Sequence, residues 1–189
     1  MPDSRILNIV DENDNVVGEA TREDIHAKGL LHREVHVWLY NKNGEVFFQM
    51  RARDKDTFPG LLDASIGGHV EIGDLYEKTA IKEAEEETGL NINPHDLKFI
   101  TTIRHAGYDE ITENLNNVIR KIFAYEFDGL PTDLKIEKGK ADGFEAVKID
   151  SLFTMSADEK ARFVPNIFEG ENIGIFRKIK LLTTENVGD

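Results

Sequence analysis

The sequence predicts an α/β fold of the α+β kind, one domain around a mixed sheet, and three observations predict it. Short apolar runs of strand composition stand both before and after the one stretch with strong helix signals. The segment HVWLYNKNGEVFFQMR, His36 to Arg51, sets apolar strands on either side of Asn41-Lys42-Asn43-Gly44, a turn-forming group, and reads as a hairpin. Asp74 to Thr88 reads as a helix. Asp74 is its expected cap, Glu77 sits three residues on as in a capping box, and Gly89 suits a left-handed stop.

Taken in order, RILNIVDENDNVVGEATRE (Arg5 to Glu23) reads as strand, polar turn and second short strand. Asp11, Asn13 and Asn15 alternate as in a calcium loop. The sixth loop position is Val16 where glycine is needed, and the twelfth is Arg22 where a bidentate glutamate is needed, so the turn reading stands. After the hairpin, RARDKDTFPG carries Arg51, Arg53 and Lys55 into a loop that Pro59-Gly60 ends. Further strands are expected at Leu97–Ile103, Val118–Phe127 and Phe144–Ile149. Ser156 and Glu159 form a second capping-box pair, and Asn172–Leu182 reads as a helix. No repeat, linker or low-complexity segment interrupts the chain, so residues 1–189 are expected to form one domain.

Apolar residues at 40% and charged residues at 31% describe a globular chain and exclude a disordered one. The formal net charge of −13 disfavours binding to a nucleic acid polymer. It leaves room for a small phosphorylated substrate, because a metal ion can mediate between carboxylates and phosphate. With no cysteine there is no disulfide, thiolate metal site or cysteine nucleophile. The start MPDSRILNIVDEND lacks the basic and apolar regions of a signal peptide, and no apolar run approaches bilayer length. A cytoplasmic protein with no membrane partner is expected. Oligomeric state is not readable, which leaves a homodimer open.

The segment KEAEEETGL, Lys82 to Leu90, concentrates carboxylates on the helix. At about 100° per residue, Glu83, Glu86 and Glu87 fall within an arc of about 100°, while Glu85 points away. An exposed acidic helix would carry such a run. Like charges at this spacing nevertheless repel, and a hard divalent cation would offset the repulsion.

From Gly68 the spacing resembles the Nudix box, G-x5-E-x7-R-E-U-x-E-E-x-G-U, where U is aliphatic. The match falls on Gly68, Glu83, Ala84, Glu86, Glu87, Gly89 and Leu90, and spans residues 68–90. Asp74 replaces the first glutamate of the box and Lys82 its arginine. The resemblance implies a Nudix-like α/β/α sandwich with a central mixed sheet, preceded by a β extension over about residues 1–30. It implies that Glu83, Glu86, Glu87 and the Gly67 carbonyl bind Mg2+ or Mn2+. The implied reaction is attack of water on a phosphoanhydride of a diphosphate, with Glu86 or Glu83, or a carboxylate elsewhere, taking the proton. In the family the arginine helps hold a metal-binding glutamate. Lys82 keeps its charge but lacks the fork of donors.

The stretch GLLHREVHVWLYNKNGEVFFQMRARDKDTFPGLLDASIGGHV resembles the isopentenyl-diphosphate isomerase branch of this family. Arg51 and Lys55 fall where that enzyme holds the substrate diphosphate. The isomerase needs a cysteine just before its Gly-His pair, and Gly67 stands there. Its separate metal site of histidines and glutamates has tempting equivalents in His26, His32 and His69, with His26 out of register by about one residue. Its downstream Glu-x-Glu falls on Leu115-Asn116-Asn117. Isomerase chemistry is therefore rejected, and His32 and His69 are expected to be structural or substrate-pocket residues. The leading expectation is a metal-dependent diphosphate hydrolase acting on a nucleoside or isoprenoid diphosphate. The alternatives are an isomerase and a non-catalytic binding module. RHAGYDEITENLNN and FVPNIFEGENIG, with Tyr108 and Phe168, are the loops expected to select the substrate. Trp38 is expected in the core.

Overall fold

The polar turn after the first strand forms as expected. In the computed structural model, which describes residues 5–110 and 112–185, β1 (Ile6–Val10) pairs antiparallel with β2 (Val16–Thr21). The Asp11 carboxylate accepts the backbone N–H groups of Asn13 and Asn15, each at 2.9 Å, which is turn chemistry. The helix α1 (Arg22–Lys28) follows, an element the sequence did not announce. Thr21 caps it by accepting the Asp24 N–H at 3.2 Å, and Gly29 ends it at φ 62°. Seven residues are too few for an apolar period to register.

The expected hairpin exists only at its turn. β3 (His32–Tyr40) and β4 (Glu45–Arg51) pair at Tyr40 and Val46 and then part. β3 takes β6 (Ile66–His69) antiparallel on one side, and β8 (Asn114–Glu126) runs parallel to it along its whole length. β4 instead takes β9 (Ala141–Lys148) and the two-residue β5 (Leu62–Asp63), both antiparallel. β7 (Lys98–Asp109) completes the far side against β8. Much of the stretch read as a substrate loop at 104–117 is thus strand.

The fork follows from burial on two faces. Val35, Val37 and Leu39 of β3 join Phe47 and Ile66 in a core beneath α2 (Tyr76–Thr88). Trp38 and Tyr40 point the other way and join Val46 and Phe48 against α5 (Asn172–Glu185). Trp38 is buried as expected, its ring edge-on to Phe48 and Phe176 at 5.3 and 4.9 Å. Helices on both faces of a mixed sheet give the α+β layering that the sequence predicted. α3 (Ile149–Leu152) and α4 (Ala157–Lys160) are single turns, and α4 carries the expected Ser156–Glu159 capping box. No helix among the described residues is long and apolar enough to cross a membrane.

The start of α2 departs from expectation. Leu75, not Asp74, occupies the cap position, and no side chain caps it. Asp74 closes a turn through its N–H to the Glu71 carbonyl, and its carboxylate takes Lys78 at 2.5 Å. Tertiary contacts fix the first turn: Tyr76 is buried and donates its hydroxyl to Asp14 at 3.0 Å. At the other end Gly89 stands at φ 71° and donates to the Glu85 carbonyl, the expected left-handed stop. Gly89→Ala should therefore cost about 1 kcal/mol in urea unfolding, and Gly89→Asn less, since asparagine tolerates that backbone region better.

Candidate active site

The two adjacent glycines of β6 create the site by what they lack. A Cβ on Gly68 would lie 2.2 Å from Cδ of Glu83, so the Glu83 side chain rests on bare backbone. A Cβ on Gly67 would meet the His36 ring at 3.1 Å. β6 thus lets α2 descend onto the sheet, and Glu87, one turn beyond Glu83, arrives with no solvent exposure at all. Three donors meet it there. The Gly67 N–H donates at 3.2 Å, Gln49 Nε2 from β4 at 2.8 Å, and Lys140 Nζ lies at 2.5 Å. The same ammonium is 3.5 Å from Glu83 and 3.3 Å from the Gly67 carbonyl. Burial pushes the Glu87 carboxyl up to about 7, with Lys140 opposing, and raises Glu83 for the same reason.

A cation therefore already sits among two carboxylates and a backbone carbonyl. That all-oxygen set suits a hard divalent ion, so these residues fit the metal that the sequence implies. Glu86 is not drawn in. It is exposed beside Glu85 and makes no hydrogen bond or ion pair among the described residues.

A second cluster forms across β3. His26 of α1, His32 of β3 and His69 of β6 hold ring nitrogens within 4.8 Å of one another, with His26 Nε2 and His69 Nε2 3.2 Å apart. α1 brings the His26 ring over the sheet beside the other two. His32 Nδ1 donates to the Leu30 carbonyl at 2.9 Å, which leaves Nε2 as the bare nitrogen. Burial lowers His26 to about 4 and His69 to about 3, so all three rings are neutral near pH 7 and could hold a transition metal.

Beside the histidines lies a buried ion pair that the sequence marks only as a polar interruption in each of two strands. Glu34 and Arg120 are direct partners in the β3–β8 register, and Arg120 donates Nε and Nη2 to one Glu34 oxygen at 2.9 and 2.6 Å. Burial works against ionisation of Glu34, but Arg120, with His69 and His36, overrides it and holds the carboxyl far below its usual range. These groups, with His105 and Tyr108 of β7, line one cleft of about 670 Å³.

A model of the NUDIX domain matches residues 30–167. The chain belongs to the Nudix family. An uncharacterized Nudix hydrolase of Streptomyces coelicolor is 50% identical over 84 residues, 44% of this chain and 46% of the relative. The chain thus spans less than half the length of that relative. An uncharacterized Nudix hydrolase of Clostridium acetobutylicum is 28% identical over 89% of this chain and 78% of its own. Among solved structures, a Deinococcus radiodurans protein superposes with a TM-score of 0.69 at 21% identity, covering 92% of this chain and 98% of its own. The Nudix domain of Shewanella oneidensis NrtR, solved with ADP ribose, superposes at 0.54 with 12% identity over 81% and 87%.

The other residues singled out in the sequence fall in different places. Lys82 does not hold a box glutamate but pairs with Glu71 at 2.8 Å, a carboxylate its single ammonium reaches more directly. Arg51 lines the cleft with three of its five N–H groups committed to the Thr57 carbonyl, the Thr57 hydroxyl and Asp63, at 2.9 to 3.0 Å. Lys55 also lines it and makes no ion pair among the described residues. Tyr108 is exposed at the cleft, whereas Phe168 packs edge-on against Phe163 at 5.2 Å. Lys140, Gln49, Glu34, His36 and Arg120 were missed. Only the polar interruptions in REVHVW and NVIRKIF marked any of them.

Two outcomes follow from these electrostatics. Arg120→Met strands a buried carboxylate and should cost about 3–5 kcal/mol in urea unfolding. Burial also lowers His36 and His69 to about 3 from an ordinary 6.5, so they stabilise the fold above pH 6.5 and lose that contribution as pH falls. Glu87, raised to about 7, acts in the opposite sense, stabilising most below its ordinary 4.5 and losing that as pH rises through 7. The histidines outnumber it, so metal-free melting temperature should drop between pH 7 and 5, and less steeply in His69→Asn.

Proposed function

We propose that this Nudix protein is a Mg2+- or Mn2+-dependent hydrolase that cleaves the phosphoanhydride of a small diphosphate. The observation that carries the reading is the convergence of Glu83, Glu87 and the Gly67 carbonyl on one cation-sized position. Those three groups would hold the metal, which when bound supplies neutralising charge for phosphate oxygens and activation for water. The remaining work falls to the chain. Glu86, whose oxygens are uncommitted, takes the proton from the attacking water. Lys55 and Arg51 receive the diphosphate, Arg51 oriented by Thr57 and Asp63 so that little freedom is lost on binding. His69, at the cleft wall, contacts the substrate, and Lys82 lends its positive charge to Glu83 and Glu86.

The chain is proposed to act as one domain in the cytoplasm on a small-molecule substrate. The packing of α1 on β8 and the bond from Asn117 to the Gly29 carbonyl support inclusion of the N-terminal extension. The likeness to the isomerase branch is kept as a proposal for the scaffold alone, since Gly67 offers no thiol. The ADP ribose bound by the NrtR domain puts a nucleoside diphosphate linked to a sugar on the substrate panel beside isoprenoid diphosphates.

A panel of diphosphates incubated with Mg2+ or Mn2+, with product identification, tests this. Cleavage should require metal and fall about 10²–10⁴-fold in kcat for Glu86→Gln. Glu87→Gln should abolish it at low metal concentration. Formation of dimethylallyl diphosphate from isopentenyl diphosphate would instead favour the isomerase. Ligand binding without cleavage would favour a non-catalytic module.

A further inference from the structure

Lys140 comes from outside the Nudix box, in the turn that leads into β9. Its backbone is fixed: its N–H bonds the Glu137 carbonyl and its carbonyl accepts the Ala52 N–H, both at 3.1 Å. Its side chain reaches across to the glutamate pair, where Nζ lies 2.5 Å from Glu87, 3.5 Å from Glu83 and 3.3 Å from the Gly67 carbonyl. These are the donors that would hold the divalent cation. An ammonium and a divalent ion cannot share three oxygens at that range, because both need the same lone pairs and repel each other. A fully buried Glu87 equally cannot stand uncompensated.

We propose that Lys140 is a built-in counter-ion that fills the metal position in the metal-free protein and must withdraw before a divalent cation enters. This rests on the metal-site reading above. The structure supplies a place to withdraw to. Glu137 lies 3.8 Å from Nζ on the solvent side and is itself exposed, and the four-carbon stem swings there without backbone movement. In the metal-free state Lys140 keeps Glu83 and Glu87 together. It also sets a threshold: the cation binds only when its attraction exceeds that of the lysine. Removing the charge at 140 therefore has two linked effects, weaker metal-free stability and tighter metal binding.

The test uses the full chain with Mn2+ alone, followed by electron paramagnetic resonance of the free ion, and thermal melts in a chelator. Lys140→Gln keeps a donor for Glu87 but removes the competing charge. It should bind Mn2+ about tenfold more tightly than the wild type, in the usual range for coupled sites. It should also melt lower in chelator and gain more from saturating Mn2+. Lys140→Arg keeps the charge and should retain wild-type affinity or weaker. Unchanged or weaker Mn2+ binding in Lys140→Gln would overturn the counter-ion role while leaving the metal site standing, as would equal tightening in Lys140→Arg. If neither wild type nor Lys140→Gln binds Mn2+, the metal-site reading fails and this proposal falls with it.

Discussion

A carboxylate without solvent exposure, Glu87, sets the terms for everything around it. Burying it is costly unless it is surrounded by donors, and the fold provides them from three separate elements. β6 gives the Gly67 N–H, β4 gives Gln49, and the turn before β9 gives Lys140. For Glu87 to reach that position α2 must lie close on β6, and only a residue without Cβ at 68 lets Glu83 pass. The glycine pair, the helix and the fork of the sheet are therefore linked through one charged group.

The fork has a second consequence. Because β3 leaves β4 after one pair and runs parallel to β8, Glu34 comes opposite Arg120 and the histidines of α1, β3 and β6 gather beside them. The cleft then has two chemically distinct parts. One is an oxygen-donor pocket suited to a hard cation. The other is a wall of neutral imidazoles and a compensated ion pair, with Arg51 at the end of β4 and Lys55 on the loop that follows. Net positive charge in this part of the cleft comes from Lys55, since Arg51 is paired with Asp63 and Arg120 with Glu34.

The parts of this arrangement written in one local stretch were legible in the sequence. The spacing from Gly68 to Gly89 announced the helix, its left-handed stop and the glutamates, since each depends on residues within a few turns of one another. Alternating apolar residues announced most strands. What depends on distant chain segments was not legible. Lys140 meets Gly67 across 73 residues and Arg120 meets Glu34 across 86, contacts that only the register of the sheet creates. Local rules also lost where tertiary ones were stronger. Asp74 had the residue type of a cap, yet burial of Tyr76 and its bond to Asp14 set the helix start. The hairpin turn was right, but double-sided burial drew its strands apart. Glu86 lies at the edge of the arc it shares with Glu83 and Glu87, about 100° round the helix from Glu87, and that angle leaves it in solvent.

The proposed site puts a divalent cation among Glu83, Glu87 and the Gly67 carbonyl. Crystals grown with Mn2+ and measured at a wavelength where manganese scatters anomalously would locate the ion directly. A peak is expected among those three groups, with the Lys140 ammonium moved away from Glu87. An anomalous peak confined to His26, His32 and His69, with Lys140 still paired to Glu87, would contradict this placement.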